Sequence, residues 1–197
     1  MATSFLSTSL SKYRKWQLQI PSIQRCKSAC KVIAMGKKIK IQPISVESFK
    51  PYGDILDCSG SPDKLINNNF CERYHDKALL DFQSGRAGIS IFNATPRGLP
   101  YECNMLERHP DGSQAFIPMS GNPFLIIVAS NCVSEKPTNP LAFITNSGQG
   151  INIHKNIWHG VLTPLTHPGL FAVVDRIGPG KNLEEHYLEN SLTVVLS

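Results

Sequence analysis

The chain has 197 residues, 41% hydrophobic and 18% charged, which suits one domain with its own core. Residues 1–40 hold nine Lys/Arg and no acid, whereas the rest of the chain has 11 bases against 15 acids, a net charge of −4. Because nucleic-acid binding needs clustered bases, this acidic body argues against a nucleic-acid partner, and the lack of an 18-residue apolar run argues against a membrane partner.

The first 34 residues have the composition of an organelle transit peptide: they are basic, rich in Ser and Thr, and free of acids. They lack the continuous apolar run of a secretory signal, and Val32-Ile33-Ala34 before Met35 resembles a plastid processing site. We therefore predict a disordered transit peptide over 1–34, a folded domain over 35–197, and a plastid location. A basic arm without targeting function, an internal start at Met35, and a mitochondrial or cytoplasmic location stay open.

Nine short β-type runs follow, and turn signals rich in Gly, Pro, Ser and Asn separate them. A proline-rich segment, 137–140, is predicted to be one of these turns. The spacing predicts an all-β, antiparallel sandwich or barrel with minor helices. The predicted strands span residues 38–44, 87–94, 102–106, 114–119, 124–130, 141–146, 151–155, 171–176 and 192–196.

Two short helices are predicted. Ser45 to Phe49 can form one turn before Pro51 stops it. The pattern Asn182-x-x-Glu185 resembles a capping box that opens a helix ending at residue 187 or 188.

The stretch LERHPDGSQAFIPMSG, residues 106–121, carries the first candidate site. Glu107 and His109 are two apart and share one face of a strand, and Gln114 opens the next strand after a turn. The spacing resembles the first cupin motif, G-x5-H-x-H-x3,4-E-x6-G, with Glu107 on the first His, His109 on the second, and Gln114 on the Glu.

A matching frame for the second cupin motif, G-x5-P-x-G-x2-H-x3-N, stands in GQGINIHKNIWHGVLT, where His159 falls on the motif His and Thr163 replaces the Asn. The two frames predict a cupin-like double-stranded β-helix barrel with a polar cluster inside it. This cluster has the ligand types for one divalent metal ion of unspecified identity. A hydrogen-bonded polar pocket without metal is the alternative. The expected metal ligands are Glu107, His109, Gln114 and His159.

Beyond these frames, the strings ERYHD, LERHP, SQAFIPM, AFITN, GQGINIHKNIWH and VDR occur in the order found in the ureidoglycolate lyase family of allantoin and purine nitrogen catabolism. The resemblance spans about residues 39–190. It implies a homodimeric cupin enzyme, a carbon–nitrogen lyase that cleaves a small ureide, ureidoglycolate, into glyoxylate and urea. A noncatalytic cupin module that binds a small carboxylate or ureide is the alternative.

Such a reaction needs a base for the hydroxyl proton, an acid near the leaving nitrogen, and a cation for the carboxylate. The expected catalytic residues are Glu107, His109, His159 and Lys155. The expected substrate-binding residues are Arg73, His75, Gln114 and Arg176.

Several of these assignments have plain structural alternatives. Arg73 could instead form a surface ion pair with a neighbouring acid, and Lys155 could be a solvated surface side chain. Asp175 and Arg176 point to opposite faces of a strand, so one of them is expected to enter the pocket.

Overall fold

The computed structural model describes residues 37–196, which form fourteen β-strands and one short helix. The predicted transit peptide lies outside the described residues, so that prediction and its boundary stay predictions. Within the described part, no helix is long and apolar enough to cross a membrane. The elements are β1 (Lys38–Pro43), α1 (Val46–Phe49), β2 (Gly53–Leu56), β3 (Lys64–Ile66), β4 (Cys71–Arg73), β5 (Arg86–Asn93), β6 (Tyr101–Arg108), β7 (Gln114–Pro118), β8 (Phe124–Asn131), β9 (Pro137–Ile144), β10 (Gly150–Ile153), β11 (Trp158–His159), β12 (Thr163–Pro164), β13 (Leu170–Ile177) and β14 (Glu184–Val195).

Six strands close into a barrel in the order β11-β6-β14-β1-β9-β8, because β8 pairs back to β11. The closure confirms the predicted all-β, cupin-like barrel. The pairing is not wholly antiparallel as expected, since β1 runs parallel to both β14 and β9. The barrel interior is mostly apolar and includes Ile39, Ile41, Leu106, Leu125, Ile127, Trp158, Leu192 and Val194.

A second, five-stranded sheet, in the order β2-β10-β7-β13-β5, packs on the outside of this barrel. The core between the two layers contains Phe116 of β7 and Val173 of β13 from one side, and Ile126 and Val128 of β8 from the other. Alternate residues of β8 face the barrel interior instead. Because β8 is buried on both faces, its sequence is continuously apolar rather than alternating.

The predicted one-turn helix is confirmed as α1, where Ser45 is the N-cap and forms a reciprocal capping box with Ser48. The helix predicted from Asn182 is wrong, because this segment leads into the long strand β14. The turn predicted over 137–140 is also wrong, because β9 begins at Pro137 and pairs with the end of β8. In both segments, strand pairing overrides a local signal: β14 pairs with the distant strand β6, and β9 forms a hairpin with the preceding strand β8.

Candidate active site

The candidate site lies on the outer face of the barrel, at one end of the core between the two layers. Glu107 of β6 and His159 of β11 are directly paired across the two strands. Their chain neighbours Leu106 and Trp158 belong to the barrel interior, so alternation directs Glu107 and His159 outward. His159 also pairs with Val128 of the interlayer core. The cluster therefore faces the five-stranded sheet, whereas the sequence predicted that it would point into the closed barrel.

Three of the four expected metal ligands come together here. One ligand atom from each of Glu107, His109 and His159 lies within 4.8 Å of the others. The two imidazole rings are 5.4 Å apart between centroids, and His159 Nδ1 is 3.9 Å from Glu107 Oε1. Within residues 37–196, this is the one group of three such side chains close enough to share a metal ion.

Backbone carbonyls determine the tautomers of both imidazoles. His109 Nδ1 is 2.7 Å from the carbonyl oxygen of Asn182, and His159 Nδ1 is 3.0 Å from that of Gly160. A carbonyl only accepts hydrogen bonds, so each Nδ1 carries the proton and each Nε2 keeps its lone pair in the neutral ring. Both Nε2 atoms are buried and have no hydrogen-bond partner in the described chain. Metal-binding histidines characteristically have this arrangement.

Burial determines the charge of the cluster. It lowers the pKa of His159 to about 3, an effect that the nearby His109 reinforces, so this imidazole is neutral at physiological pH. Burial also raises the pKa of Glu107, against the opposing influence of His109. Two imidazole nitrogens and a carboxylate form a donor set that fits a borderline divalent cation.

A cavity of about 280 Å³ adjoins the cluster at His109. Gln114 and Asp175, on the inner face of the five-stranded sheet, line its opposite side. The side chain of Gln114 interacts with the Asp175 carboxyl group, yet Gln114 Oε1 and Asp175 Oδ1 are buried without hydrogen-bond partners in the described chain. Burial raises the pKa of Asp175, while Gln114 and His109 counteract this rise.

Asp175 was not among the expected catalytic, substrate-binding or metal-binding residues, although the sequence contains a signal for it. Phe171 and Val173 are buried core residues of β13, and period-two alternation extends their face to Asp175. Arg176 is buried and lines the same cavity. Its Nη2 donates to Ser84 Oγ at 3.3 Å and to a backbone carbonyl, whereas its Nε has no partner among the described residues. Both residues of the pair therefore reach the cavity, where one was expected.

Three predicted site residues belong neither to the cluster nor to the lining of this cavity. Arg73 and His75 lie in and just after the β3–β4 hairpin, where Arg73 Nη2 is 2.9 Å from His75 Nδ1, and Arg73 lines a separate cavity. Lys155 Nζ forms an ion pair with Asp81 Oδ2 at 2.7 Å. The hairpin forms a separate two-stranded sheet and is not part of the sheet that carries Gln114 and Asp175.

Comparison with known proteins links this geometry to a family. A family model described as ureidoglycolate lyase matches residues 36–195. The chain is 52% identical over 159 residues to a protein of Rhodobacter capsulatus named ureidoglycolate lyase, covering 80% of this chain and 98% of the relative. It is 46% identical over 161 residues to a protein of the same name from Mesorhizobium japonicum, covering 81% of this chain and 98% of the relative.

Proposed function

The chain belongs to the ureidoglycolate lyase family, and from this membership we propose that it is a carbon–nitrogen lyase that cleaves ureidoglycolate into glyoxylate and urea. One observation ties this activity to the site. Two imidazoles with lone pairs on unpartnered Nε2 atoms stand beside a half-buried carboxylate at the edge of a small polar cavity. These are proton acceptors and metal ligands, the groups that the reaction needs.

The substrate is a carbinolamide, in which one carbon bears a hydroxyl, a carboxylate and a urea nitrogen. A base removes the hydroxyl proton, the carbon–oxygen double bond forms, and the carbon–nitrogen bond breaks with its electron pair moving to the urea nitrogen. That nitrogen then takes up a proton. Since one proton leaves oxygen and one arrives at nitrogen, the reaction consumes no water.

We assign the removal of the hydroxyl proton to the cluster of Glu107, His109 and His159. The half-buried Glu107 carboxylate and the Nε2 lone pair of His109 are the available proton acceptors, whereas burial makes the imidazole of His159 a weak base. The same three residues would hold a divalent metal ion, which when bound lowers the pKa of the substrate hydroxyl. Arg176 is the buried cation at the cavity and is placed to bind the substrate carboxylate, a role expected for Arg73 as well.

The activity is tested by incubating the protein with racemic ureidoglycolate and following glyoxylate, urea and ammonia together. The spontaneous decay of the substrate is subtracted. Equal amounts of glyoxylate and urea, without ammonia, are expected from a lyase. Two ammonia molecules per glyoxylate would instead indicate amide hydrolysis and would overturn the proposal.

We further propose that the protein is a homodimer. The outer face of the five-stranded sheet exposes apolar side chains on the two strands that flank β13: Ile89 and Ile91 of β5, and Ile117 of β7. Ile91 and Ile117 flank Ala172 of β13 in one row across the sheet, so the patch is continuous. A self-complementary apolar patch suits a two-fold interface. Light scattering should give the mass of two chains, and Ile91→Lys should favour the monomer; a monomeric wild type would contradict this.

For residues 1–34 we propose a transit peptide that directs the protein to plastids. The family match begins at residue 36. The alignment with the Rhodobacter relative includes 98% of that relative but only 80% of this chain. The basic, acid-free leader thus precedes the part that bacterial relatives share. Fusion of residues 1–34 to a fluorescent reporter should deliver it to plastids, and a diffuse cytosolic signal would contradict targeting.

A further inference from the structure

Gln114 and Asp175 stand side by side at the end of an apolar sheet face. The register pairs Phe116 with Val173 and Ala115 with Val174, so its continuation by one residue brings Gln114 opposite Asp175. Phe116 and Val173 are buried in the interlayer core. Gln114 and Asp175 continue their face into the cavity, where the apolar lining ends.

The pair offers hydrogen-bond acceptors that no described residue fills. The contact between the two side chains uses the amide N–H of Gln114, the donor of the pair when Asp175 is ionised. Gln114 Oε1 and Asp175 Oδ1 remain buried and unpartnered. His109, on the same cavity, cannot fill them, because its N–H already donates to the carbonyl of Asn182. Buried acceptors without partners are rare, and their presence at a cavity indicates a ligand that donates hydrogen bonds.

In the proposed substrate, only the ureido group carries N–H donors. Its carboxylate offers acceptors alone and would be repelled by the Asp175 carboxylate. We propose that Gln114 and Asp175 bind the ureido N–H groups and so determine specificity for ureides. This inference rests on the proposed function and deepens it, since it orients the substrate. With its ureido end at the five-stranded sheet, the hydroxyl-bearing carbon is directed towards Glu107, His109 and His159.

The test compares two small probes by calorimetric titration, which requires no turnover. Ureidoacetate has the ureido group and the carboxylate but no hydroxyl, so the lyase reaction cannot cleave it. Glyoxylate has the carboxylate but no N–H. Asp175→Asn and Gln114→Met should each weaken ureidoacetate binding roughly tenfold or more, the effect of losing hydrogen bonds to a buried site. Both variants should bind glyoxylate within about twofold of the wild type, since no hydrogen bond to it is lost.

Asp76→Asn is the matched control, because Asp76 is exposed and does not line the cavity. It should bind both probes as the wild type does. Thermal melting of each variant identifies those that are folded, and the use of two chemically different variants keeps the test open if one of them unfolds. Loss of ureidoacetate and glyoxylate binding in equal measure would overturn the proposal, since the pair would then shape the cavity rather than recognise N–H groups.

Unchanged ureidoacetate binding in both folded variants, or no ureidoacetate binding by the wild type, would likewise overturn it. Failure of the proposed function looks different. A wild type that binds ureidoacetate through Gln114 and Asp175 but releases no urea from ureidoglycolate would contradict the lyase activity while supporting the ureide-binding pair.

Discussion

Replacing Glu107 by Gln tests whether the cluster performs chemistry or only fills space. The change keeps the shape of the side chain but removes its ability to accept a proton. We expect kcat to fall roughly 100-fold or more, the usual effect of losing an acid/base group, which corresponds to about 2.7 kcal/mol of transition-state stabilisation.

The fold should tolerate this change. The Glu107 side chain is only 20% exposed, and His159 Nδ1, at 3.9 Å, belongs to an imidazole that burial keeps neutral. Burial raises the pKa of Glu107, which means that the folded state does not favour its charged form. An amide at this position therefore removes no strong stabilising contact, and the melting temperature should not decrease.

The assay follows glyoxylate and urea release beside thermal melting, with Glu102→Gln as the control. Glu102 lies on the same strand, is exposed, and accepts a hydrogen bond from Ser191 Oγ at 2.8 Å, away from the cluster. The control should retain wild-type kcat within about twofold, as expected for a surface position. A folded Glu107→Gln variant with wild-type turnover would remove Glu107 from the mechanism.

Three further changes test the surroundings of the site. Asn182→Ala removes the side-chain oxygen that accepts a hydrogen bond from the backbone N–H of Asp111 at 2.7 Å, and so loosens the carbonyl that orients His109. Activity should fall about 10- to 100-fold in the urea-release assay, and unchanged activity in a folded variant would contradict this role of Asn182. Arg108→Met should cost about 1–3 kcal/mol in urea denaturation, since two carboxylate contacts and a cation–π contact are lost; unchanged stability would contradict their contribution. Burial tends to raise the pKa of the Asp54 carboxyl group, but hydrogen bonds hold this pKa below its ordinary value of 3.8. The ionised Asp54 therefore stabilises the fold above pH 3.8, and this stabilisation is lost as the pH falls below that value. Asp54→Asn should therefore flatten the acid decline of the melting temperature, and a decline parallel to the wild type would contradict this.

The strands that carry the site could be predicted from the sequence, because their signals are local. Glu107 lies near the end of β6, His109 follows directly after that strand, and β7 begins at Gln114 as expected. Hydrophobic alternation reports which face of a strand is buried whatever the partner strand is. The same reasoning applies to α1, whose cap and first turn lie within five residues.

Long-range pairing could not be predicted in this way. The segment after Asn182 has the spacing of a capping box, but Glu184 and the following residues pair with β6, and Glu184 binds Arg108. The position of Arg73 depends on a hairpin whose direction no local pattern encodes. Likewise, the juxtaposition of Gln114 and Asp175 follows only from the register between β7 and β13.

The two faces of β6 and β11 explain why one charged residue, Arg108, is buried inside the barrel. Glu107 and His159 face the site, while their chain neighbours Arg108 and Trp158 face inward, where the guanidinium lies 4.6 Å from the indole centroid and binds Glu184. A slip of β6 by one residue would place Arg108 among the site residues and Glu107 in an apolar interior without its partners. Both placements leave a buried charge unpaired, which is far more costly than an apolar mismatch. We infer that the Arg108 contacts fix the register that keeps Glu107 opposite His159, so the barrel interior and the site depend on the same strand alignment.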